Sequence, residues 1–270
     1  MPDAYNGDVR ISWQECGVPD APPVLLVMGH VFGSGMWHRT VPALAAQHRV
    51  LTYDNWGIGE SGCPRGPATI ERMAADAATV LSAAGVEEAH VYGVSMGGLV
   101  AQELALSAPE RVTSLVLGCT GAPSDATTPR RGTPALAYRV PRRLFYALGR
   151  SAMYGSGVSR EQIAEDMRVL TATRTDSRGL IAQSRAIRAY RSFDRVAGIT
   201  APTLVLHGDE DKVVPLERAR ELVDLIPSAR LQVLPGAGHN FTAGCAAYAN
   251  QLVLDFFAQH PVTRRNRAQG

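Results

Sequence analysis

A serine hydroxyl at neutral pH is a weak nucleophile until a neutral imidazole can take its proton and a carboxylate can hold that imidazole. One serine of this chain lies in a stretch suited to presenting it. Gly93-Val94-Ser95-Met96-Gly97 follows Ala89-His90-Val91-Tyr92 and precedes Gly98-Leu99-Val100-Ala101. Val91, Tyr92 and Val94 are strand formers, and from Met96 apolar residues recur at 96, 99, 100, 104 and 108, the spacing of a buried helical face. A strand passing straight into a helix strains the residue at the join. Gly93 and Gly97 remove the side chains that would collide there. This is the G-x-S-x-G arrangement of a nucleophile elbow.

Among seven histidines, His239 has the context of a general base. It lies in Pro235-Gly236-Ala237-Gly238-His239-Asn240-Phe241, a glycine-rich loop directly after the last expected strand. His207 ends a strand and is expected to be structural, whereas His38, His48, His90 and His260 read as surface or helix-end residues. The acid is sought in His207-Gly208-Asp209-Glu210-Asp211-Lys212-Val213-Val214-Pro215, which follows the penultimate strand. A loop needs a few residues to reach the histidine, which favours Asp211 over Asp209 and Glu210. The same cluster could instead cap the helix beginning near Leu216. Asp54 is a rival acid, though it heads a turn where aspartate commonly accepts backbone donors.

These residues need a scaffold that brings distant loops to one place. Residues 9–16 alternate apolar and polar, as an edge strand with one wet face would. Val24–Met28 is a continuous apolar run suited to a strand buried on both faces. It ends in the glycine-rich loop Gly29-His30-Val31-Phe32-Gly33-Ser34-Gly35. A helix is expected from about Trp37 to Gln47, a strand at Val50–Tyr53, an amphipathic helix at Ile70–Ala84, the elbow, and a strand at Val112–Leu117. The pattern resumes with a strand at Thr203–His207, a helix at Leu216–Ile226, a strand at Leu231–Leu234 and a helix at about 246–259. Such alternation predicts an α/β fold with a mostly parallel sheet and helices on both faces. Right-handed crossovers put the C-terminal ends of its parallel strands along one edge, where the loops at Gly29, Asp54 and Ser95 emerge.

Between Gly121 and Ala197 the alternation breaks. Prolines at 123, 129, 134 and 141 open the segment, and helix-prone stretches follow near 135–149, 159–172 and 176–193. It reads as a helical lid inserted above the elbow. The expected division is therefore a core of 1–120 and 198–262, a lid of 121–197 and a frayed tail of 263–270. The lid holds 14 arginines against 6 acidic residues, a local balance of +8, so with a net charge of +2 the remainder carries −6. That excess could draw in an anionic acyl substrate, or simply be a solvated surface in a chain with one lysine, Lys212.

Hydrophobic content of 46% and charged content of 19% describe an ordinary globular protein. The four cysteines are scattered without a C-x-x-C pair, which argues against zinc or a redox motif and fits reduced thiols in a cytoplasm. No metal or other cofactor is expected. No nucleic-acid motif, signal peptide or membrane-length apolar run is visible.

The order Ser95, Asp211, His239, with Gly97-Gly98, the Gly208–Pro215 loop and Gly238-His239, resembles the α/β-hydrolase superfamily over essentially the whole chain. The lid-bearing esterase, lactonase and C–C hydrolase branch, including enzymes similar to 3-oxoadipate enol-lactonase, is nearest. The resemblance implies an oxyanion hole from the backbone N–H groups of Met96 and of the residue after Gly29, here His30. It also exposes two departures. Met28 stands where relatives commonly have histidine, and His30 puts an imidazole where an apolar residue is frequent, either to touch substrate or to support the loop. Trp56 stands where arginine is common, an expected aromatic surface near the site. Tyr138, Phe145, Tyr146 and Phe241 are the other expected substrate contacts, although packing between lid and core would use the same residues.

The implied activity is hydrolysis of a small or medium carboxylic ester, lactone or thioester through an acyl-enzyme, with an anionic or carrier-linked acyl group among the candidates. Two other outcomes remain open to the same residues: cyclisation, acyl transfer or elimination in secondary metabolism, and ligand reception without turnover.

Overall fold

A computed structural model of the chain describes residues 2–124 and 142–263, excepting the side chains of residues 142, 143 and 145–148. Eight strands form one sheet: β1 (Asp3–Asn6), β2 (Val9–Gly17), β3 (Pro23–Val27), β4 (Arg49–Tyr53), β5 (Ala89–Val94), β6 (Val112–Gly118), β7 (Thr203–Gly208) and β8 (Ala229–Leu234). Their order is β1-β2-β4-β3-β5-β6-β7-β8. β1 and β2 pair antiparallel, as do β2 and β4, and every later pairing is parallel. The expected mostly parallel α/β sheet is what the chain forms.

The central strands are apolar at consecutive positions because both sheet faces are covered. Leu25 and Val27 of β3 enter one buried cluster, whereas Val24 and Leu26 enter the other. The first cluster packs against helices α2 (Ile70–Ala83), α3 (Met96–Ser107) and α7 (Leu216–Leu225). The second takes in Leu44 of the short α1 (Val41–Ala45) and Val253, Phe256 and Phe257 of α9 (Ala246–Gln259). Successive side chains of a strand point to opposite faces, which is the physical basis of this division.

Among the described residues, α-helices α4 (Arg142–Met153), α5 (Arg160–Ala172) and α6 (Ser177–Ala189) lie between β6 and β7. Ser159 caps α5 in a reciprocal capping box with Gln162, and Asp176 caps α6. A short α8 (Phe241–Gly244) follows the histidine loop. Among the described residues no helix is long and apolar enough to cross a membrane.

Several expectations change. Residues 9–16 do not form the sheet edge, because the short β1 lies outside β2. The helix expected over Trp37–Gln47 divides into a 3-10 turn, Ser34–Arg39, and α1, with Pro42 in the first turn of the latter. His48 and His90 are buried rather than superficial. His90 stacks on Phe257 at 4.2 Å and faces Ser114 Oγ at 2.8 Å, and burial pushes its imidazole down to about 3.

One buried carboxylate lies on α2, hydrogen-bonded to the loop that follows β4. Asp76 of α2 is 3% exposed and accepts hydrogen bonds from Asn6 Nδ2 at 2.7 Å and Trp56 Nε1 at 2.6 Å. Burial pushes its carboxyl up to about 6, and the two donors oppose that rise. The native state therefore binds this proton more tightly than the unfolded chain does. The resulting stability is full below about pH 4 and is lost as pH rises through about 6, a change of roughly 3 kcal/mol. Denaturant unfolding across pH 4–7 is expected to show this fall in the parent and a flatter profile in Asp76→Asn; equal slopes would contradict the assignment.

Candidate active site

The loops that leave the C-terminal ends of β3, β4, β5, β7 and β8 carry Gly29–Gly35, Asp54–Gly62, Ser95, Asp209–Val214 and Pro235–His239, and all converge on one edge of the sheet. Ser95 joins β5 to α3 at φ 54° and ψ −120°. A side chain at positive φ is held at a cost of order 1–3 kcal/mol, which the surroundings must supply. Here the surroundings are backbone. A Cβ on Gly93 would stand 2.2 Å from the Gly97 carbonyl oxygen, and one on Gly97 would stand 2.0 Å from that of Val27. Ser95 N–H donates to the Gly118 carbonyl at 2.8 Å, while its own carbonyl accepts from Gly98 N–H at 2.9 Å and Thr120 Oγ1 at 2.9 Å.

The structure brings the three residues singled out for chemistry into one hydrogen-bonded chain. Ser95 Oγ lies 3.0 Å from His239 Nε2, and His239 Nδ1 lies 2.8 Å from Asp211 Oδ2. Burial tends to raise the Asp211 carboxyl, but the His239 hydrogen bond and charge and the N–H groups of Val214 and Val213 outweigh it, so its ionised form is favoured. An ionised carboxylate only accepts. Nδ1 must then carry a proton, and in the neutral ring Nε2 is left as the acceptor for the serine hydroxyl. Asp211 Oδ1 is fixed by Val213 and Val214 N–H at 2.8 and 2.9 Å. The same carboxylate faces His207 Nε2 at 3.5 Å, and His207 also meets the Val214 carbonyl at 2.9 Å.

The competing carboxylates have other partners. Asp209 accepts from Gly236 N–H at 2.7 Å, and Glu210 accepts from Ser156 N–H and Oγ, each at 2.6 Å. Asp54 accepts from Ser34 N–H at 2.7 Å and leaves no room for a Cβ on Gly59, so it braces the turn. Cys119 lies with Asp211 and His239 in a group whose ligating atoms are within 4.8 Å of one another. Burial holds that thiol protonated, well above its ordinary range, and both His239 nitrogens face other partners. The buried thiol thus lies beside the hydrogen-bonded chain of Ser95, His239 and Asp211.

The alpha/beta hydrolase fold family model matches residues 22–242. The chain belongs to this family. It is 34% identical over 267 residues to a protein of Azorhizobium caulinodans, RutD, whose name carries a provisional assignment as a carbamate hydrolase; the match covers 95% of this chain and 98% of the relative. A Mycobacterium tuberculosis protein, BpoC, provisionally named a non-heme bromoperoxidase, is 30% identical over 275 residues, covering 93% and 98%. The enol-lactonase of Burkholderia xenovorans superposes with a TM-score of 0.83 at 26% identity, covering 95% of this chain and all of that one. The chain is thus an α/β-hydrolase enzyme similar to named hydrolases along almost its full length.

In this hydrolase the Gly29 loop abuts the serine directly, for a Cβ on Gly29 would come within 3.2 Å of Ser95 Cβ. Met96 is the first residue of α3, so its N–H has no intrahelical acceptor. The His30 ring turns to α6, with Nε2 3.2 Å from the Leu180 carbonyl, and burial lowers its imidazole to about 4. A carbonyl can only accept, so the neutral ring donates there and supports the loop. Val31 follows at φ 66°, unusual for a β-branched residue, and its N–H reaches Gln183 Oε1 at 3.3 Å. Gln183 Nε2 in turn donates to the Trp56 carbonyl at 2.6 Å. This fully buried glutamine of α6 joins two of the converging loops, and nothing in its sequence neighbourhood singles it out.

Two expected substrate contacts are corrected. Trp56 is 1% exposed, donates to Asp76 and packs in the cluster around α2, so its indole presents no surface at the site. Phe241 is also 1% exposed, and its ring edge would meet a Cβ on Gly118 at 3.0 Å; it packs beneath the elbow. Tyr138 lies outside the described residues, as do the side chains of Phe145 and Tyr146.

Gly97→Ala forces a methyl group into the Val27 carbonyl, with a cost at or above the usual 1–3 kcal/mol of overpacking. Chemical denaturation is expected to show a loss of about 3 kcal/mol or more, together with slower labelling of Ser95 by a fluorophosphonate. Parent-like stability and labelling would show that the elbow does not need this close approach.

Proposed function

We infer that this enzyme is a serine hydrolase that cleaves a small or medium carboxylic ester, lactone or thioester through an acyl-enzyme. The observation that carries the reading is the continuous chain from Asp211 through His239 to Ser95 Oγ. His239 Nε2 takes the hydroxyl proton as Oγ attacks the substrate carbonyl carbon. The carbonyl oxygen becomes an oxyanion held by the N–H groups of Met96 and His30, in line with the proximity of the Gly29 loop to Ser95. As the tetrahedral intermediate collapses, its bond to the leaving oxygen or sulfur breaks and His239 gives that atom the proton. Water, deprotonated by His239, then attacks the acyl-enzyme; collapse releases the carboxylic acid and returns a proton to Ser95.

The names of two relatives agree with this chemistry at the level of bonds. A carbamate and an enol lactone each carry a heteroatom leaving group on an acyl carbon. In this reading residues 121–197 serve as the lid, with α6 closing over the Gly29 loop through His30 and Gln183, and the acyl half is supplied as a small molecule or on a carrier.

The test is turnover of p-nitrophenyl esters together with stoichiometric fluorophosphonate labelling. Ser95→Ala and His239→Ala are each expected to lower kcat by about 10⁶-fold and Asp211→Asn by about 10⁴-fold, with labelling lost in Ser95→Ala. Labelling or turnover that survives Ser95→Ala would overturn the mechanism.

A further inference from the structure

A buried carboxylate on the inserted segment reaches the loop that carries His239. Asp166 lies on α5 and is 0% exposed. Its Oδ1 receives the Arg39 guanidinium, from the 3-10 turn that follows the Gly29 loop. Its Oδ2 accepts from Tyr154 Oη at 3.0 Å and from Asn240 Nδ2 at 2.7 Å. The other charged or titratable groups beside it are Glu165, which shares Arg39, and His38, whose Nε2 is 3.5 Å from Oδ1. One carboxylate thus gathers donors from three chain segments that converge on this edge of the sheet.

Asn240 is the residue that makes this more than packing, because it follows His239 directly. Its N–H donates to the Met153 carbonyl at 2.7 Å, and its Oδ1 accepts from Thr242 Oγ1 at 2.9 Å. The amide group is therefore oriented from both ends, with its NH2 on Asp166 and its oxygen on Thr242. Backbone packing holds the same place. A Cβ on Gly238 would lie 2.5 Å from Gly155 N, and one on Gly155 would lie 2.1 Å from the Gly236 carbonyl oxygen. On the other flank, Ser156 is bound to Glu210, the neighbour of Asp211. Residues 153–156 consequently lie across both loops of the relay. Backbone thus packs closely against the histidine loop, and the Asp166–Asn240 bond holds the residue after His239.

Resting on the reading of His239 as the base, we propose that Asp166 is a positioning residue for catalysis, setting the aim of His239 through the side chain of Asn240. An imidazole must keep Nε2 in line with Ser95 Oγ and Nδ1 in line with Asp211 at once, so a small rotation of its loop degrades both bonds. Misplacement by about 1 Å can cost on the order of 10²-fold in rate. A residue that merely packs the inserted helices would act instead on substrate binding and thermal stability.

The full-length enzyme is compared as parent, Asn240→Ala, Asp166→Asn and the double variant, with kcat and KM for a p-nitrophenyl ester, the fluorophosphonate labelling rate and Tm. Asn240→Ala is expected to lower kcat and the labelling rate by about 10- to 100-fold, with KM within about 3-fold and Tm within a few degrees. Because the influence of Asp166 passes through Asn240, Asp166→Asn should lower kcat less than about 3-fold further in the Asn240→Ala background, a non-additive cycle. Parent-like kcat in Asn240→Ala, or single losses that multiply in the double variant, would overturn the proposal. Should Asp166→Asn fail to fold, Asn240→Ala decides alone, through kcat against KM. Ser95→Ala separates the two levels: if it retains turnover, the hydrolase reading fails, and if it is inactive while Asn240→Ala is parent-like, only this inference fails.

Discussion

Everything at the site depends on how closely three backbones approach one another where β5 becomes α3. Ser95 has to adopt a left-handed backbone for its hydroxyl to stand clear of the sheet, and that conformation survives only because its neighbours leave no alternative. The Val27 carbonyl occupies the space where a Gly97 side chain would be, and the Gly97 carbonyl occupies that of Gly93. The cost of a strained serine is thereby spread over the packing of a sheet buried on both faces. The same approach brings Gly29 against Ser95, so that this serine and the loop proposed to stabilise an oxyanion are positioned by one constraint.

Much of this was legible in the amino-acid sequence, because the relevant signals are local. The glycines around Ser95, the apolar strands and the loops after β7 and β8 are each contained in ten residues or fewer, and parallel topology then brings them to one edge. Asp211 could be favoured over Asp209 and Glu210 from reach alone, and the structure gives those two neighbours separate work on Gly236 and Ser156. What could not be read locally is the direction a side chain takes. Trp56 looked like an aromatic wall because it lies in a loop at the right edge; it turns instead into the cluster around α2, where Asp76, twenty residues on, accepts its indole N–H. His30 turns outward to a helix 150 residues later in the chain. The four residues of β1, Asp-Ala-Tyr-Asn, carry little strand signal without the partner β2.

The residues with no local signal in the sequence form long-range polar links. Gln183 spans from Val31 to Trp56, and Asp166 from Arg39 to Asn240. Each is a polar residue in an otherwise ordinary amphipathic helix, where the default expectation is a solvated face. Burial reverses that expectation, since an unsatisfied amide or carboxylate in the interior costs more than its hydrogen bonds return. Buried hydrogen bonds of this kind therefore mark where the helices between β6 and β7 are tied to the core. The helices between β6 and β7 are joined to the loops of the relay by such bonds, not by apolar contact alone.

The proposed mechanism requires that the acyl group become covalently attached to Ser95 Oγ during turnover. Rapid acid quench of the enzyme with an activated ester, followed by intact and peptide mass spectrometry, reads this directly. An added mass equal to the acyl half of the ester is expected on the peptide that contains Ser95, and none in Ser95→Ala. Turnover with no acyl adduct at any quench time, or an adduct located on Cys119 instead, would contradict it.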